Sequence, residues 1–157
     1  MEEISKAILD YVEALNELKR LNIVKNQKDF TSQLGEWMAS IIYGGNLAVS
    51  GKQEDWDLEV NGTKYQIKTH AKAYSTKREN TDFKYSKGSK IDFIVIIVFD
   101  ENYKIKKIYK VPFDIAHELV NKDRKELVIK WKDLDERFTE NIDDILLKNE
   151  ILTIFKK

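Results

Sequence analysis

The 157-residue chain contains no cysteine, one proline and six glycines. The lack of cysteine excludes disulfide bonds and thiolate metal sites, and it favours a reducing compartment. No stretch has the apolar length of a membrane span, and the first residues lack the uninterrupted apolar segment of a secretion signal. These absences predict a cytoplasmic protein with no membrane partner.

Two common catalytic signatures are also missing. The sequence has no Gly-x-x-x-x-Gly-Lys phosphate loop, and its serines form no recognisable Ser/His/Asp constellation. Phosphate-loop nucleotide hydrolysis and covalent serine catalysis are therefore not predicted. A chain of this length buries roughly 70% of its unfolded surface, so we expect one domain. Its parts are a helical segment at about 1–28, a core at about 30–112 and an extension at about 113–157.

The net charge is zero, with 27 basic and 27 acidic side chains, but the charges are unevenly distributed. Residues 64–90 carry eight basic and two acidic side chains, whereas residues 1–60 carry six basic and eleven acidic ones. Three aromatic residues are interleaved with this basic segment: Tyr74, Phe83 and Tyr85. The composition suits phosphate contacts and base stacking, and a solvated loop is the alternative.

The spacing of apolar residues predicts most of the helices and strands. An amphipathic helix with one buried stripe is expected from Glu2 to Leu21, and a second helix from a cap at Thr31 or Ser32 to Gly44-Gly45. Strands are expected at "NLAVS", "DFIVIIVFD", "YKIKKIYKV" and "ELVIKW", helices at "PFDIAHELV" and "NIDDILLKNEILTIF", and a loop or broken helix over residues 72–90. The order predicts an α/β fold with a mixed β-sheet core flanked by helices.

The stretch "EVNGTKYQIKT" predicts a tight β-hairpin. Asn61-Gly62 is a strong hairpin signal because both residues tolerate the positive φ of a type I′ turn. Counting outward from the turn pairs Val60 with Thr63, Glu59 with Lys64, Leu58 with Tyr65, Asp57 with Gln66, and Asp55 with Lys68. Because side chains alternate along a strand, one face of the hairpin is apolar and the other is charged.

The charged face of the hairpin has the residue types of a cation and phosphate site. Asp57 and the amide oxygen of Gln66 supply hard oxygen ligands of the kind that Mg²⁺ prefers, and Lys68 supplies an ammonium for phosphate. The alternative is a solvent-facing hairpin with cross-strand charge pairs, Glu59 with Lys64 and Asp55 with Lys68. The residues alone leave both interpretations open.

The string "LGEWMASIIYGGNLAVSGKQEDWDLEVNGTKYQIKT" resembles the core of the PD-(D/E)XK nuclease superfamily, the fold of many restriction endonucleases and junction resolvases. The resemblance covers roughly residues 30–112 and rests on the order of elements and a few polar positions. These positions are Glu36 on the helix, Asp57 on the first hairpin strand, and Gln66-Ile67-Lys68 on the second. Trp56 stands where the motif has proline, and Gln66 stands where it has an acid.

The resemblance implies a restriction-endonuclease-like fold and a Mg²⁺-dependent endonuclease, with Mn²⁺ as a second metal. DNA is the expected substrate and RNA the second. Asp57, Gln66 and Glu36 would hold the metal, and Lys68 would position the attacking water and stabilise the developing charge. The expected nucleic-acid-binding residues are Lys72, Lys77, Arg78, Lys84, Lys87 and Lys90.

The departure at Gln66 keeps a second function class open. Without the acid the site loses one negative charge, and Asp55 and Glu59 are spare carboxylates on the same face. The alternative is a non-catalytic module that keeps the nuclease fold and binds nucleic acid or a protein.

The oligomeric state and the two histidines are further points. A homodimer is possible, since cutting both strands of a duplex usually takes two active sites. His70 is expected to contact phosphate or act in proton transfer, or to be a solvated strand-end histidine, and His117 is expected to be structural.

Overall fold

The computed structural model describes residues 2–26, 29–49, 55–72, 76–120 and 127–156. Its helices are α1 (Glu2–Arg20), α2 (Phe30–Tyr43), α3 (Phe113–Leu119) and α4 (Ile142–Lys148). Its strands are β1 (Asn46–Leu47), β2 (Leu58–Val60), β3 (Thr63–His70), β4 (Asn80–Asp82), β5 (Phe93–Phe99), β6 (Ile105–Pro112) and β7 (Val128–Lys130). Short 3₁₀ helices follow at Trp131–Asp133, Glu136–Phe138 and Glu150–Phe155. A search of the described residues finds no helix with the length and hydropathy that a bilayer crossing requires.

Five of the described strands form one mixed sheet in the order β1-β2-β3-β5-β6. β3 and β5 run parallel, and the other neighbours are antiparallel. β5 lies between β3 and β6, and its residues from Ile94 to Phe99 are buried, because helices and loops cover both faces of the sheet. The prediction of an α/β fold with a mixed sheet flanked by helices is confirmed.

The short strand β4 corrects the prediction for the basic segment. Residues 72–90 were expected to form a loop or broken helix, but Asn80–Asp82 pair with β7 in a separate two-stranded sheet. β7 lies within the predicted strand "ELVIKW", whose assignment is confirmed at Val128–Lys130. The pairing joins distant parts of the chain, so the local pattern around Asn80 does not encode it.

The two faces of the sheet carry separate cores. On one face, α2 and the C-terminal segment pack on alternate residues of β3 and β5, including Ile67, Val95 and Ile97. On the other face, Phe83 and α3 pack on Ile94 and Ile96. Because the register pairs Gln66 with Ile94 and Lys68 with Ile96, these two polar residues belong to the second face. The predicted charged face of the hairpin is therefore partly covered.

The predicted hairpin is confirmed, and its ladder is short. Asn61 and Gly62 have φ of 49° and 85°, and the register pairs Val60 with Thr63, Glu59 with Lys64 and Leu58 with Tyr65. The ladder ends at Leu58, and Asp55 takes a left-handed φ of 73°. The predicted pairing of Asp55 with Lys68 is therefore wrong, because the chain has left the strand before that point.

Helix α1 has the predicted bounds to within one residue, but its buried stripe does not form along most of its length. Within residues 2–20 the buried side chain is Leu15, near the C-terminal end. Ile4, Ile8 and Tyr11 lie on the same stripe and are 67%, 59% and 66% exposed. Helical periodicity identifies an apolar face, but it does not specify what covers that face.

The N-cap of helix α2 is Asp29. Its Oδ1 accepts a hydrogen bond from the Ser32 amide nitrogen at 3.1 Å. The prediction of a cap at Thr31 or Ser32 is therefore wrong. The helix ends as predicted at Gly44 and Gly45, which have φ of 74° and 89°. A left-handed residue after a helix is most favourable for glycine, which has no Cβ.

Gly35 lets α2 approach β3 closely. A Cβ at this position would lie 1.9 Å from Thr69 Oγ1 and 2.9 Å from Thr69 Cβ. Gly35→Ala is expected to lower stability by about 1–3 kcal/mol, because overpacking outweighs the roughly 1 kcal/mol gain in helix propensity. Thermal unfolding of Gly35→Ala and of the native protein measures the loss of stability. Gly88→Ala is the matched control, since its added methyl has no described atom within 4 Å.

Removing the obstructing side chain should rescue the Gly35 variant. Thr69→Ala deletes the hydroxyl and methyl groups that the new Cβ would meet, so Gly35→Ala with Thr69→Ala should unfold at a higher temperature than Gly35→Ala alone. Additive losses in the double variant would contradict the contact between α2 and β3.

Candidate active site

Asp57 lies where β2 separates from β3. Its amide nitrogen donates to the Tyr65 carbonyl at 2.8 Å, and its side-chain Oδ2 accepts from the Ile67 amide nitrogen at 2.8 Å. If β2 were longer, one of its backbone groups would pair with β3 at this point. The Asp57 carboxylate accepts the hydrogen bond from β3 instead. Oδ2 also accepts from Gln66 Nε2 at 2.5 Å. Asp57 and Gln66, which the sequence predicts to be neighbours, are therefore joined by a side-chain hydrogen bond.

Gln66 is buried, with 7% of its surface exposed. The interpretation of a solvent-facing hairpin is therefore wrong at this position. Its amide nitrogen donates to Asp57 and lies 3.4 Å from the Ile67 carbonyl. Since the nitrogen is engaged with acceptors, the oxygen is the atom of this amide that would bind a cation.

Lys68 lies one pleat beyond Gln66 and is half-buried. Its Nζ is 5.1 Å from the centre of the Tyr85 ring, a cation–π contact that holds the ammonium near the site. Burial lowers the pKa of Lys68, while the carboxylates of Asp57 and Asp82 oppose that change. Lys68 is thus a partly desolvated cation in the electrostatic field of Asp57.

Glu36 lies on α2, next to the Gly35 contact with β3. Burial raises the pKa of Glu36 to about 7, and the nearby Asp57 carboxylate contributes to that rise. Burial also raises the pKa of Asp57, against the hydrogen bond from Ile67 and the charge of Lys68. Two partly buried carboxylates within electrostatic reach are costly unless a cation joins them.

Lys25 is a charged neighbour that sequence reasoning did not identify. Its Nζ donates to the Ala48 carbonyl at 2.9 Å, and its charge lowers the pKa of both Glu36 and Asp57. It lies after α1 in a segment without a motif, so no local signal marks it. Only the packing of this segment beside β1 brings the ammonium toward the carboxylates.

The predicted nucleic-acid-binding residues fall into three places. Lys77, Arg78 and Lys84 line a cavity of about 850 Å³, in which Arg78 forms a 3.0 Å ion pair with Asp82. The charge of Lys84 also reaches Lys68, whose pKa it lowers. Lys72 borders a smaller cavity of about 290 Å³, and Lys87 and Lys90 lie before β5.

The aromatic residues of the basic segment lie in different surroundings. Phe83 is 2% exposed in the second core, so its base-stacking role is wrong. Tyr85 is half-buried and contacts Lys68, and Tyr74 lies outside the described residues. His117 lies beside the rings of Phe83 and Phe113, which fits the structural role expected for it.

His70 is not the solvated strand-end histidine of the alternative interpretation. Its Nε2 lies 2.9 Å from the Thr81 hydroxyl, and its ring packs against Trp131 with centroids 5.1 Å apart. Burial lowers its pKa to about 4, and the charge of Arg78 acts in the same direction. The imidazole is therefore neutral near pH 7, and its contact with Thr81 links β3 to β4.

The pKa of Glu36 predicts a pH-dependent stability for the protein in EDTA. The pKa is about 7 in the folded chain against an ordinary 4.5, so the folded state holds the proton more tightly. Stability from this group is present at low pH and is lost as the pH rises toward 7. Glu36→Gln should therefore stabilise the chain relative to the native protein, increasingly between pH 4.5 and 7. Thermal unfolding across this range measures the difference.

His70 also contributes to the pH dependence of stability, with a sign opposite to that of Glu36, so the native protein and Glu36→Gln must be compared at each pH. Its folded pKa of about 4 lies below the ordinary 6.5, so its contribution rises with pH between these values. The two slopes overlap in the native protein, and the difference between Glu36→Gln and the native chain removes the contribution of His70. A difference that stays constant from pH 4.5 to 7 would show that Glu36 titrates normally.

The ligand set fits a hard cation in chemistry, and among the described residues it contains two acids. Within the described ranges, no three His, Cys, Asp or Glu side chains are arranged to hold a metal ion. A divalent cation at this site would have the carboxylates of Asp57 and Glu36 and the Gln66 amide oxygen as protein ligands. Mg²⁺ commonly binds one or two carboxylates and keeps several waters, so this set suits it.

Comparison with known proteins adds no family assignment. A scan against protein-family models gives no match, and a search of curated proteins gives none either. The functional inference therefore depends on the site's residues and geometry.

Proposed function

We propose that this protein is a metal-dependent nuclease with the restriction-endonuclease-like fold of the PD-(D/E)XK superfamily. It hydrolyses phosphodiester bonds of DNA with Mg²⁺, and Mn²⁺ can replace Mg²⁺. The observation that carries the proposal is the hydrogen bond that joins Asp57 to Gln66 where β2 leaves β3, with Lys68 one pleat further along and Glu36 within electrostatic reach of Asp57. Support also comes from the order of helix, hairpin and buried strand β5.

The residues have separate roles in the proposed mechanism. Asp57, Glu36 and Gln66 would hold the cation, which would supply positive charge for the phosphate and a more acidic water. The Ile67 amide and the Gln66 amide fix Asp57 in one orientation, so the ligand is preorganised. Lys68 orients the attacking water and stabilises the negative charge that develops on the phosphate, and its desolvation strengthens that interaction.

The basic cavity supports nucleic acid as the substrate. Lys77, Arg78 and Lys84 line it, and Lys84 is close enough to Lys68 for their charges to interact. A phosphodiester backbone entering here would place successive phosphates on these cations and one phosphate at Lys68. The acidic N-terminal segment, residues 1–60, contributes the two carboxylates of the site, Asp57 and Glu36.

A cleavage assay tests the proposal. Labelled single-stranded and duplex DNA, and RNA of the same sequence, are incubated with the protein in Mg²⁺, Mn²⁺ or EDTA. Products are expected in either metal and not in EDTA, with DNA cut faster than RNA. Absence of cutting on every substrate in both metals would overturn the nuclease proposal.

A non-catalytic binding module is the second candidate, and the hydrogen bond from Gln66 to Asp57 favours it. That bond occupies one oxygen of the central carboxylate in a site that already lacks an acid. This candidate predicts nucleic-acid binding of equal strength in Mg²⁺ and EDTA, with no cleavage.

Gln66→Glu is expected to separate the two candidates. The new carboxylate loses the hydrogen bond to Asp57 and repels it, so the variant in EDTA should unfold at a lower temperature than the native protein. Mg²⁺ should restore that temperature, and the Mg²⁺ concentration for half-maximal cleavage should fall about tenfold because a third acid binds the ion. Metal titrations of cleavage and of thermal unfolding measure both effects.

The matched control for Gln66→Glu is Asn102→Asp, which adds one carboxylate in the exposed turn between β5 and β6. It should leave the metal requirement unchanged. Cleavage that appears in Gln66→Glu and is absent from the native chain would establish the non-catalytic module instead of the nuclease.

A further inference from the structure

A second basic groove adjoins the cavity beside Lys84. It has a volume of about 820 Å³, and Lys77 and Arg78 border both this groove and the cavity beside Lys84. Its other cations are Lys106, Lys107 and Lys132, against the carboxylates of Glu79 and Asp100. The groove is thus a concentration of positive charge on a chain of zero net charge.

The floor of the groove contains an indole held in one orientation. Trp131 Nε1 donates to the Thr81 hydroxyl at 2.8 Å, and Thr81 Oγ1 lies 2.9 Å from His70 Nε2. The Thr81 hydroxyl therefore links the indole of Trp131 to the imidazole of His70. The His70 ring also packs edge-on against the indole. Trp131 is half-buried, so part of its surface remains open to the groove.

A preoriented indole surrounded by lysines suits a nucleotide strand. Bases stack on aromatic rings whatever their sequence, and lysines neutralise the phosphates on either side. Stacking on Trp131 needs an unpaired base, because the faces of paired bases are covered by their neighbours. An acidic peptide would use the cations but would have no comparable use for the indole.

We propose that this groove binds single-stranded nucleic acid, with one base on Trp131 and the flanking phosphates on Lys107 and Lys132. The choice of ligand rests on the proposed nuclease function, since Lys77 and Arg78 connect the groove with the basic cavity beside Lys84. The substrate class is then a nucleic acid with an unpaired strand adjoining the bond that is cut.

Binding in EDTA tests the groove separately from cleavage. Fluorescence anisotropy follows a labelled oligothymidylate and a blunt duplex of similar length. The single strand should bind more tightly than the duplex, and Trp131→Ala should weaken its binding by about 5- to 100-fold, the range for one stacked base. Lys107→Glu with Lys132→Glu should weaken it about tenfold or more, since both side chains are exposed and their loss leaves the core intact.

Two matched variants control these measurements. Lys148→Glu reverses an exposed charge on α4, away from the groove, and should change affinity by less than about twofold. Trp131→Phe keeps a ring for stacking and should retain most of the binding. Thermal unfolding verifies that each variant folds, and the Lys107/Lys132 variant tests the groove even if Trp131→Ala unfolds.

The possible outcomes distinguish failure of the groove proposal from failure of the nuclease proposal. Native affinity in both the Trp131→Ala and the Lys107/Lys132 variants would overturn the groove proposal, whether or not the protein cuts DNA. Equal affinity for the duplex, or equally tight binding of polyglutamate at the same lysines, would also overturn it. Binding that depends on Trp131 without cleavage in Mg²⁺ would support the groove while removing the nuclease.

Discussion

Asp57→Asn is expected to lower the rate of phosphodiester cleavage by about 10³-fold or more, because it removes the central anionic metal ligand. The amide oxygen that replaces the carboxylate can still accept from the Ile67 amide nitrogen, so the local hairpin geometry should persist. Single-turnover cleavage in saturating Mg²⁺ measures the rate, and anisotropy in EDTA measures nucleic-acid affinity. Affinity should stay within about threefold of the native value, since Asp57 is not a phosphate ligand.

The stability of Asp57→Asn distinguishes a lost ligand from a damaged fold. Burial disfavours the charged form of Asp57, whose pKa is raised, and its carboxylate also disfavours ionisation of Glu36. The neutral variant should therefore unfold in EDTA at the same temperature as the native protein or higher. Asp55→Asn is the matched control, because Asp55 is exposed outside the ladder. Full activity in Asp57→Asn would exclude this residue from the metal site.

Lys68→Met is expected to lower the cleavage rate at saturating substrate by about 10²- to 10³-fold, because the ammonium acts on charge that develops in the transition state. Methionine keeps an unbranched apolar chain against Tyr85 and removes the charge. Substrate affinity should change by less than about threefold, since the other cations keep their phosphate contacts. Steady-state kinetics with a separate measurement of affinity in EDTA gives both quantities.

Lys64→Met is the matched control for Lys68. Lys64 is four residues earlier on the same strand and face, but its Nζ lies 5.4 Å from the Trp56 ring, away from the Tyr85 contact. It should retain the native rate. If Lys68→Met loses affinity and rate in the same proportion, Lys68 is a simple phosphate contact and its proposed transition-state role is wrong.

The short-range features of the fold could be predicted from the sequence because they depend on neighbouring residues. Asn61-Gly62 specifies the hairpin through its positive φ values, and the Ile- and Val-rich run of β5 specifies a strand covered on both faces. The hairpin count also placed Asp57 beside Gln66, which the structure confirms as a contact. The cap of α2 was missed because Asp29, Thr31 and Ser32 are all good capping residues, and only the backbone path selects Asp29.

The candidate site required long-range packing that no local pattern encodes. Gly35 against Thr69 brings Glu36 toward Asp57, and the segment after α1 brings Lys25. The same cause explains the exposed stripe of α1 and the pairing of β4 with β7, which sets Thr81 between His70 and Trp131. The sequence by itself therefore determined the hairpin, the buried strand and the residue types of the site. The tertiary structure alone decided which side chains meet and which are desolvated, because both depend on contacts between distant parts of the chain.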